Sequence, residues 1–243
     1  MSYENYERAQ GWSEQDFGAF SDSQSAWFEA EVLATLAPAT GSVRVLDIGF
    51  GNGSFMGWAR SRGWTCEGIE LNSRLIERAA LQGFNAAGSL EEVSNMSGWQ
   101  PYDLITGFDV LEHIDRDALV PFLTSLRTVC SSQTLLLFRF PNGDNPFSAP
   151  VQNGDLTHRT AIGQSMLRQI AELSEFDVVR LGGPKPALRG AGWSKQVGAR
   201  LGGPVRRLLG MFLRQLFMGG MPVVFTGNLV AVLKLRRSQC QSV

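Results

Sequence analysis

Apolar residues along this chain fall into two spacings that alternate. Val43–Ile48 is a short β-branched run, and Thr65–Glu70, Tyr102–Thr106, Thr134–Phe140 and Phe176–Leu181 have the same character. A weaker run lies near Phe84–Ala86. Short apolar runs bounded by turn residues predict buried strands. Between them, apolar positions recur at helical spacing over Ser23–Leu36, Phe55–Arg62, Asn72 or Ser73 to Leu81, Asp115–Val129 and Thr160–Leu173. Pro38 and the turn at Thr40–Gly41 close the first of these, Gly83 closes the third, and Asp115 is a candidate cap for the fourth. Strands alternating with such helices predict an α/β fold: a doubly wound, mostly parallel sheet with helices on both faces. Ligands bind such sheets at the carboxyl ends of the strands. That rule directs attention to Asp47–Gly53, Glu70, Gly107–His113 and Arg139–Asn145.

The pattern fits a single domain over residues 1–243. Residues 1–22, polar with Tyr3, Tyr6, Trp12, Phe17 and Phe20 interspersed, form an arm or lid; 23–181 form the core; 182–221 are a basic insertion; 222–237 hold the last strand. A net charge of −1 hides a division. Residues 1–180 carry 12 basic and 23 acidic residues, net −11, whereas 181–243 carry ten basic residues and no acid. The basic segment either packs on the acidic body or meets something anionic. Seven Lys/Arg lie in 184–218, and Pro204–Met218 predicts a helix with Pro204 in its first turn. Arg207, Gly210 and Arg214, with Arg206 and Gln215 beside them, form a polar stripe. Leu208–Phe217 are expected to enter the core, with the basic edge left for a membrane or an acceptor. The first twenty residues lack the apolar stretch of a signal peptide, and no run reaches the roughly 18 apolar residues of a membrane span. Cys66, Cys130 and Cys240 are scattered and read as reduced thiols. A cytoplasmic protein is expected, with peripheral contact at the inner membrane face through 184–218.

Three glycines, Gly49, Gly51 and Gly53, follow the first strand at alternate positions, where they let the backbone turn tightly and approach a ligand. The next helix N-terminus suits a carboxylate or phosphate. Glu70 ends the second strand and can accept bonds from both hydroxyls of a ribose. A dinucleotide loop reads G-x-G-x-x-G, whereas this one reads G-x-G-x-G with Ser54 in the third glycine's place. Asp47 just before the loop better suits S-adenosylmethionine (SAM), whose ammonium prefers an acidic setting. A bare turn without ligand is the remaining reading.

VLDIGFGNGSF at 45–55, GIELN at 68–72, GSLEEV at 88–93, YDLITGFDVLEHI at 102–114 and LLLFRFPN at 135–142 together resemble the class I SAM-dependent methyltransferases, over roughly residues 23–181. The resemblance implies a Rossmann-like sheet and SAM as cofactor. It assigns the first block, with Asp47, Gly49, Gly51 and Gly53, to the methionine part, and Glu70 with Leu71 to the ribose. Ser89 and Leu90 then flank the adenine, and Phe108, Asp109 and Val110 line the sulfonium side. Phe50 stands where the family usually has a small residue. A narrower resemblance, in Arg139-Phe-Pro-Asn142 and Asn153-Gly-Asp-Leu-Thr-His158, is to methyltransferases of bacterial polysaccharide (O-antigen, capsule) assembly. It implies O-methylation of a sugar hydroxyl on a glycan or lipid-linked glycan precursor.

A sugar hydroxyl is a poor nucleophile and benefits from a general base, most often histidine. His158, oriented by Asp155, is the candidate, with a turn-holding role as its alternative. Arg139, Asn142 and His113 are the acceptor-binding candidates; Asn142, Asp144 and Asn145 also read as turn chemistry, and His113 as a loop support. Trp27, on an apolar helix face, is expected to be buried packing. Asp109, Glu112 and His113 form a D-x-x-E-H grouping comparable to a metal-linked cluster of some ubiquinone-pathway O-methyltransferases. The structural reading is favoured, and no metal is expected. Rival functions are methylation of a lipophilic ring of the ubiquinone type and a SAM-binding scaffold without turnover. Nucleic acid is not an expected partner, because the basic residues come without an aromatic stacking platform.

Overall fold

The computed structural model describes residues 16–36, 42–96, 99–187, 193–217, 219–220 and 223–236. Tyr3, Tyr6, Trp12 and Cys240 lie outside these residues. Seven strands form one sheet in the order β3-β2-β1-β4-β5-β7-β6. They are β1 (Arg44–Ile48), β2 (Thr65–Ile69), β3 (Asn85–Ala87), β4 (Tyr102–Phe108), β5 (Cys130–Pro141), β6 (Phe176–Gly182) and β7 (Asn228–Leu235). Only β7 runs antiparallel to its neighbours. The helices are α1 (Asp22–Phe28, continued by a π-turn at Glu29–Leu33 to Ala34–Leu36), α2 (Ser54–Ser61), α3 (Ser73–Leu81), α4 (Leu90–Ser94), α5 (Leu119–Leu126), α6 (Ala149–Asn153), α7 (Gln164–Leu173) and α8 (Trp193–Phe217). The mostly parallel Rossmann-like sheet expected from the sequence is present, and its last strand follows the insertion.

Each inner strand is apolar on both sides because both faces are covered. Leu46, Ile48, Ile105, Leu136 and Phe138 turn one way, against Leu119, Leu123, Leu167 and Ile170 of α5 and α7. Val45, Leu104 and Leu137 turn the other way, against Phe28 and Val32 of α1 and Phe55 and Trp58 of α2.

Two helices begin later than their apolar pattern suggests. Asp115 does not cap α5: its carbonyl takes the Ala118 N–H and its carboxylate pairs with Arg159 at 2.7 Å. The helix opens instead at Leu119, which puts Pro121 in a first turn that needs no N–H. α7 opens at Gln164, because Thr160 is held by the Ile114 carbonyl and the Asp144 carboxylate receives the Gln164 N–H.

The basic insertion departs furthest from expectation. α8 runs through Pro204 rather than starting at it. Leu208, Leu209, Met211, Phe212, Leu216 and Phe217 are exposed, not core. The helix settles through Gly210, whose missing side chain leaves room for Phe225, and through Arg214, which donates to the Val223 carbonyl at 3.3 Å. Contact through a glycine brings backbone close while leaving the large side chains outside. The insertion leaves β6 at Gly182 and returns to β7 near Asn228; Gly182 is in register with Val230, and Asn228 with Pro141 at the end of β5. It therefore opens at the same sheet edge as the glycine turn after β1. Among the described residues no helix is long and apolar enough to cross a membrane.

Candidate active site

The glycine turn is left-handed at all three glycines, with φ of 66°, 54° and 70° at Gly49, Gly51 and Gly53. Residues with a Cβ adopt this conformation at a cost of about 1–2 kcal/mol. Space adds to the demand. A Cβ on Gly49 would lie 2.7 Å from Val110, and one on Gly53 would lie 2.6 Å from the Phe17 ring. The arm's last residues thus wedge against the turn: Gly18 N–H donates to the Asn52 carbonyl at 2.8 Å, and Asn52 donates back to the Asp16 carbonyl. Phe50 turns away into a pocket with Phe17, Met56 and Phe84, its ring against Gly68. The turn keeps its shape around it.

Asp47 is buried beneath the turn, accepting a bond from the Thr106 hydroxyl at 2.8 Å. Burial pushes its carboxyl up to about 7; the Thr106 bond opposes this, and the charge of Glu70 adds to it. Such a carboxyl gains from a cation placed beside it. The Glu70 carboxylate accepts from Leu71 N–H at 2.7 Å, Asn72 N–H at 3.1 Å and Gly51 N–H at 3.2 Å, so it bridges the ends of β1 and β2. Leu71 itself is exposed. Ser89 caps α4 by accepting the Glu92 N–H, and Leu90 is half-buried behind it. Residues held this way fit SAM: Asp47 for its ammonium, Glu70 for its ribose, the α4 start for its base.

After β4 the chain turns through Asp109, a non-glycine residue at φ 59°. Its carboxylate is gripped by Arg139, whose Nε donates at 3.0 Å and whose Nη2 makes a second, shorter bond. The Arg139 guanidinium lies 4.6 Å over the Trp27 ring, and Trp27 packs edge-on against Phe108 at 4.9 Å. Arg139 and half-buried Trp27 thus brace the Phe108–Val110 loop, and Val110 in turn rests on Gly49.

Asn142, expected to touch the acceptor, is instead turned inward. Its side chain is fully buried, donates to the Val224 and Thr226 carbonyls at 2.6 and 3.1 Å, and accepts the Asp144 N–H. Both donors are used. Asn145 likewise ties Thr226 to Phe147. The polar residues after β5 fasten the segment before β7.

The histidines converge. His113 and His158 rings stand 4.9 Å apart at 68°, and His158 Nε2 lies 4.0 Å from Glu112 Oε1. Asp155 does not orient His158: it accepts from the N–H and hydroxyl of Thr157, at 2.8 and 2.5 Å. The orienting partner is the Gln152 carbonyl, 2.8 Å from His158 Nδ1, because the α6 turn bends that backbone oxygen toward the ring. Asp155 still faces both rings with its charge and is held below the usual carboxylate range by its Thr157 bonds and the imidazoles, against the opposing effect of burial. His113 is pushed down by burial. Glu112 is pushed up to about 8 by burial, with Asp109 adding to the effect. Sequence reading grouped Glu112 with Asp109, but Asp109 belongs to Arg139 and His158 takes its place. Thr106 and Gln152 went unnoticed. Gln152 acts through its backbone, which leaves no trace in residue type; Thr106 could have been found as the polar residue one strand over from Asp47.

A family model described as "Methyltransferase domain" matches residues 21–181. Among solved structures, a SAM-dependent methyltransferase from Archaeoglobus fulgidus superposes with a TM-score of 0.62 at 16% identity, covering 96% of this chain and 100% of that one. A TehB-like SAM-dependent methyltransferase from Corynebacterium glutamicum gives 0.56 at 18% identity, covering 96% and 97%. The plantazolicin methyltransferase BamL, in complex with a triazolic desmethylPZN analog and SAH, gives 0.57 at 14% identity, covering 97% and 90%. No curated protein sequence matches the chain.

Proposed function

The chain belongs to the methyltransferase-domain family and takes SAM as methyl donor, and we propose that it methylates a hydroxyl of a glycan or lipid-linked glycan precursor. Asp47 holds the methionine ammonium, the glycine turn admits the methionine backbone, and Glu70 takes the ribose. Because SAM is already activated, alignment of the acceptor oxygen with the methyl carbon supplies much of the rate. One C–O bond forms as the C–S bond breaks, and the acceptor's proton leaves. His158 receives that proton at Nε2. The supporting observation is the Gln152 carbonyl on Nδ1, which fixes the Nδ1–H tautomer and makes Nε2 the basic nitrogen. His113 and Arg139 flank the acceptor approach, and Asp155 lends its negative charge.

A lipid-linked acceptor also suits the insertion. Its exposed apolar residues, with exposed Arg207 among them and no acid in the segment, fit peripheral contact with an anionic membrane at the sheet edge where the acceptor enters. Incubation with SAM and extracted glycolipid tests the function. Release of S-adenosylhomocysteine together with a methylated sugar in the hydrolysate is expected. Product release with a methylated ring compound instead would move the acceptor class, and no release at all would leave a donor-binding scaffold.

A further inference from the structure

Among the described residues, Glu112 alone keeps both carboxylate oxygens buried and without a hydrogen-bond partner on another residue. Its side chain is 1% exposed. A buried polar group left this way calls for an unseen partner, and a carboxylate most of all. What surrounds it is not random. One Glu112 oxygen and one ring nitrogen each from His113 and His158 all lie within 4.8 Å of one another.

The imidazoles are also set up for a shared task. His158 Nδ1 faces the Gln152 carbonyl at 2.8 Å, so the proton belongs on Nδ1 and the lone pair on Nε2, the nitrogen turned toward Glu112. His113 Nδ1 faces the Thr157 carbonyl at 3.3 Å and the Thr157 hydroxyl oxygen at 3.1 Å, whose own proton goes to Asp155; both oxygens accept, so its Nε2 is the basic nitrogen. A backbone carbonyl on the far nitrogen is the usual support of a metal-ligating histidine, and His158 has it. The two chain segments are also fixed to each other: the Glu112 carbonyl accepts the N–H groups of Arg159 and Thr160, at 2.8 and 3.1 Å. The cluster is therefore preorganised, although His158 lies far along the chain from the other two.

We propose that Glu112, His113 and His158 form a binding site for a divalent first-row transition ion. Two imidazoles and one carboxylate favour zinc, cobalt or iron over magnesium and calcium, which prefer all-oxygen shells. Three protein ligands leave an open position for water or an acceptor oxygen. Bonds of about 2.1 Å put tetrahedral ligand atoms about 3.4 Å apart, so the three atoms draw together by about 1 Å when an ion enters. The site goes beyond the methyl-transfer reading and does not need it. An ion there occupies the His158 lone pair, so only the ion-free form can use His158 as a base.

The test is a titration of chelator-stripped full-length protein with cobalt, followed by visible absorption and calorimetry. One ion per chain is expected, with d–d bands of an imidazole-containing shell. Glu112→Gln and His158→Gln should each weaken binding by about a hundredfold or more, while Asp115→Asn, in an exposed ion pair, should not. Zinc should also raise the melting temperature of the wild type but of neither ligand variant, a readout that needs no activity. Should Glu112→Gln fail to fold, His158→Gln carries the comparison. No stoichiometric ion on the wild type, or binding that survives both substitutions, overturns the proposal. SAM calorimetry on the same samples reports the donor site separately, so failure here and failure of the methyl-transfer reading are distinguishable.

Discussion

The two halves of the sheet's ligand edge are built on different principles. On the β1–β2 side, the shape of the site rests on backbone: three left-handed glycines and an amide cluster that fixes the Glu70 carboxylate, with that of Asp47 buried below. On the β5–β7 side it rests on side chains that reach across long stretches of chain, as Asn142 does to Val224 and Thr226. The first half can recognise one constant ligand, because backbone amides do not vary with sequence. The two meet where Arg139 of β5 grips Asp109 and Val110 rests on Gly49, so a change at Arg139 also reaches the glycine turn.

The largest effect should come from the acceptor side. His158→Ala is expected to cut turnover by about a hundredfold or more, with SAM affinity nearly unchanged. Near-normal turnover would return His158 to a structural role and erase the contrast between the halves. On the donor side, Glu70→Ala should cost roughly 1.5–3 kcal/mol, or ten- to a hundredfold in SAM affinity. Calorimetry that finds unchanged affinity would remove Glu70 from the ribose site.

Asp47 sharpens the comparison through pH. Its folded-state pKa of about 7 lies above the unfolded value of 3.8, so the folded state holds the extra proton between them. Stability of the ligand-free protein from this group is therefore fully present below about 4 and lost as pH rises through 7. SAM reverses the preference, because its ammonium favours the carboxylate. Affinity for SAM should fall several-fold as pH drops from about 8 to about 6, and Asp47→Asn should flatten that slope. A wild-type affinity flat over this range would mean that the ammonium sits elsewhere. The smallest effect concerns the insertion: each basic residue near an anionic bilayer contributes about 1 kcal/mol at most. The protein should co-float with anionic but not neutral liposomes and be released by salt; pelleting away from both would confine α8 to protein contacts.

What could be read from the sequence follows the same division. The placement of Asp47, the glycines and Glu70 was legible because it follows from strand ends and left-handed φ values, which residue type reports directly. The sheet was legible from Val45, Leu46 and their equivalents, apolar in unbroken runs. Asn142 misled, since its partners lie 82 and 84 residues away and nothing local marks them. Leu208 and Phe212 misled for a related reason: apolar spacing marks a face but not what it faces. Glu112 was grouped correctly with His113 and wrongly with Asp109, because only the fold reveals that Arg139 claims the aspartate first.

The register of β6 on β7 gives the insertion a further property. Gly182 and Val230 sit side by side in the sheet, so everything between them enters and leaves through one narrow gate in the scaffold. The entropy of closing such an excursion grows only with the logarithm of its length, about 0.6 kcal/mol per doubling. Segment 183–227 can thus change length at little cost to the strand ladder, provided backbone carbonyls remain where those of Val224 and Thr226 meet Asn142 and Asn145.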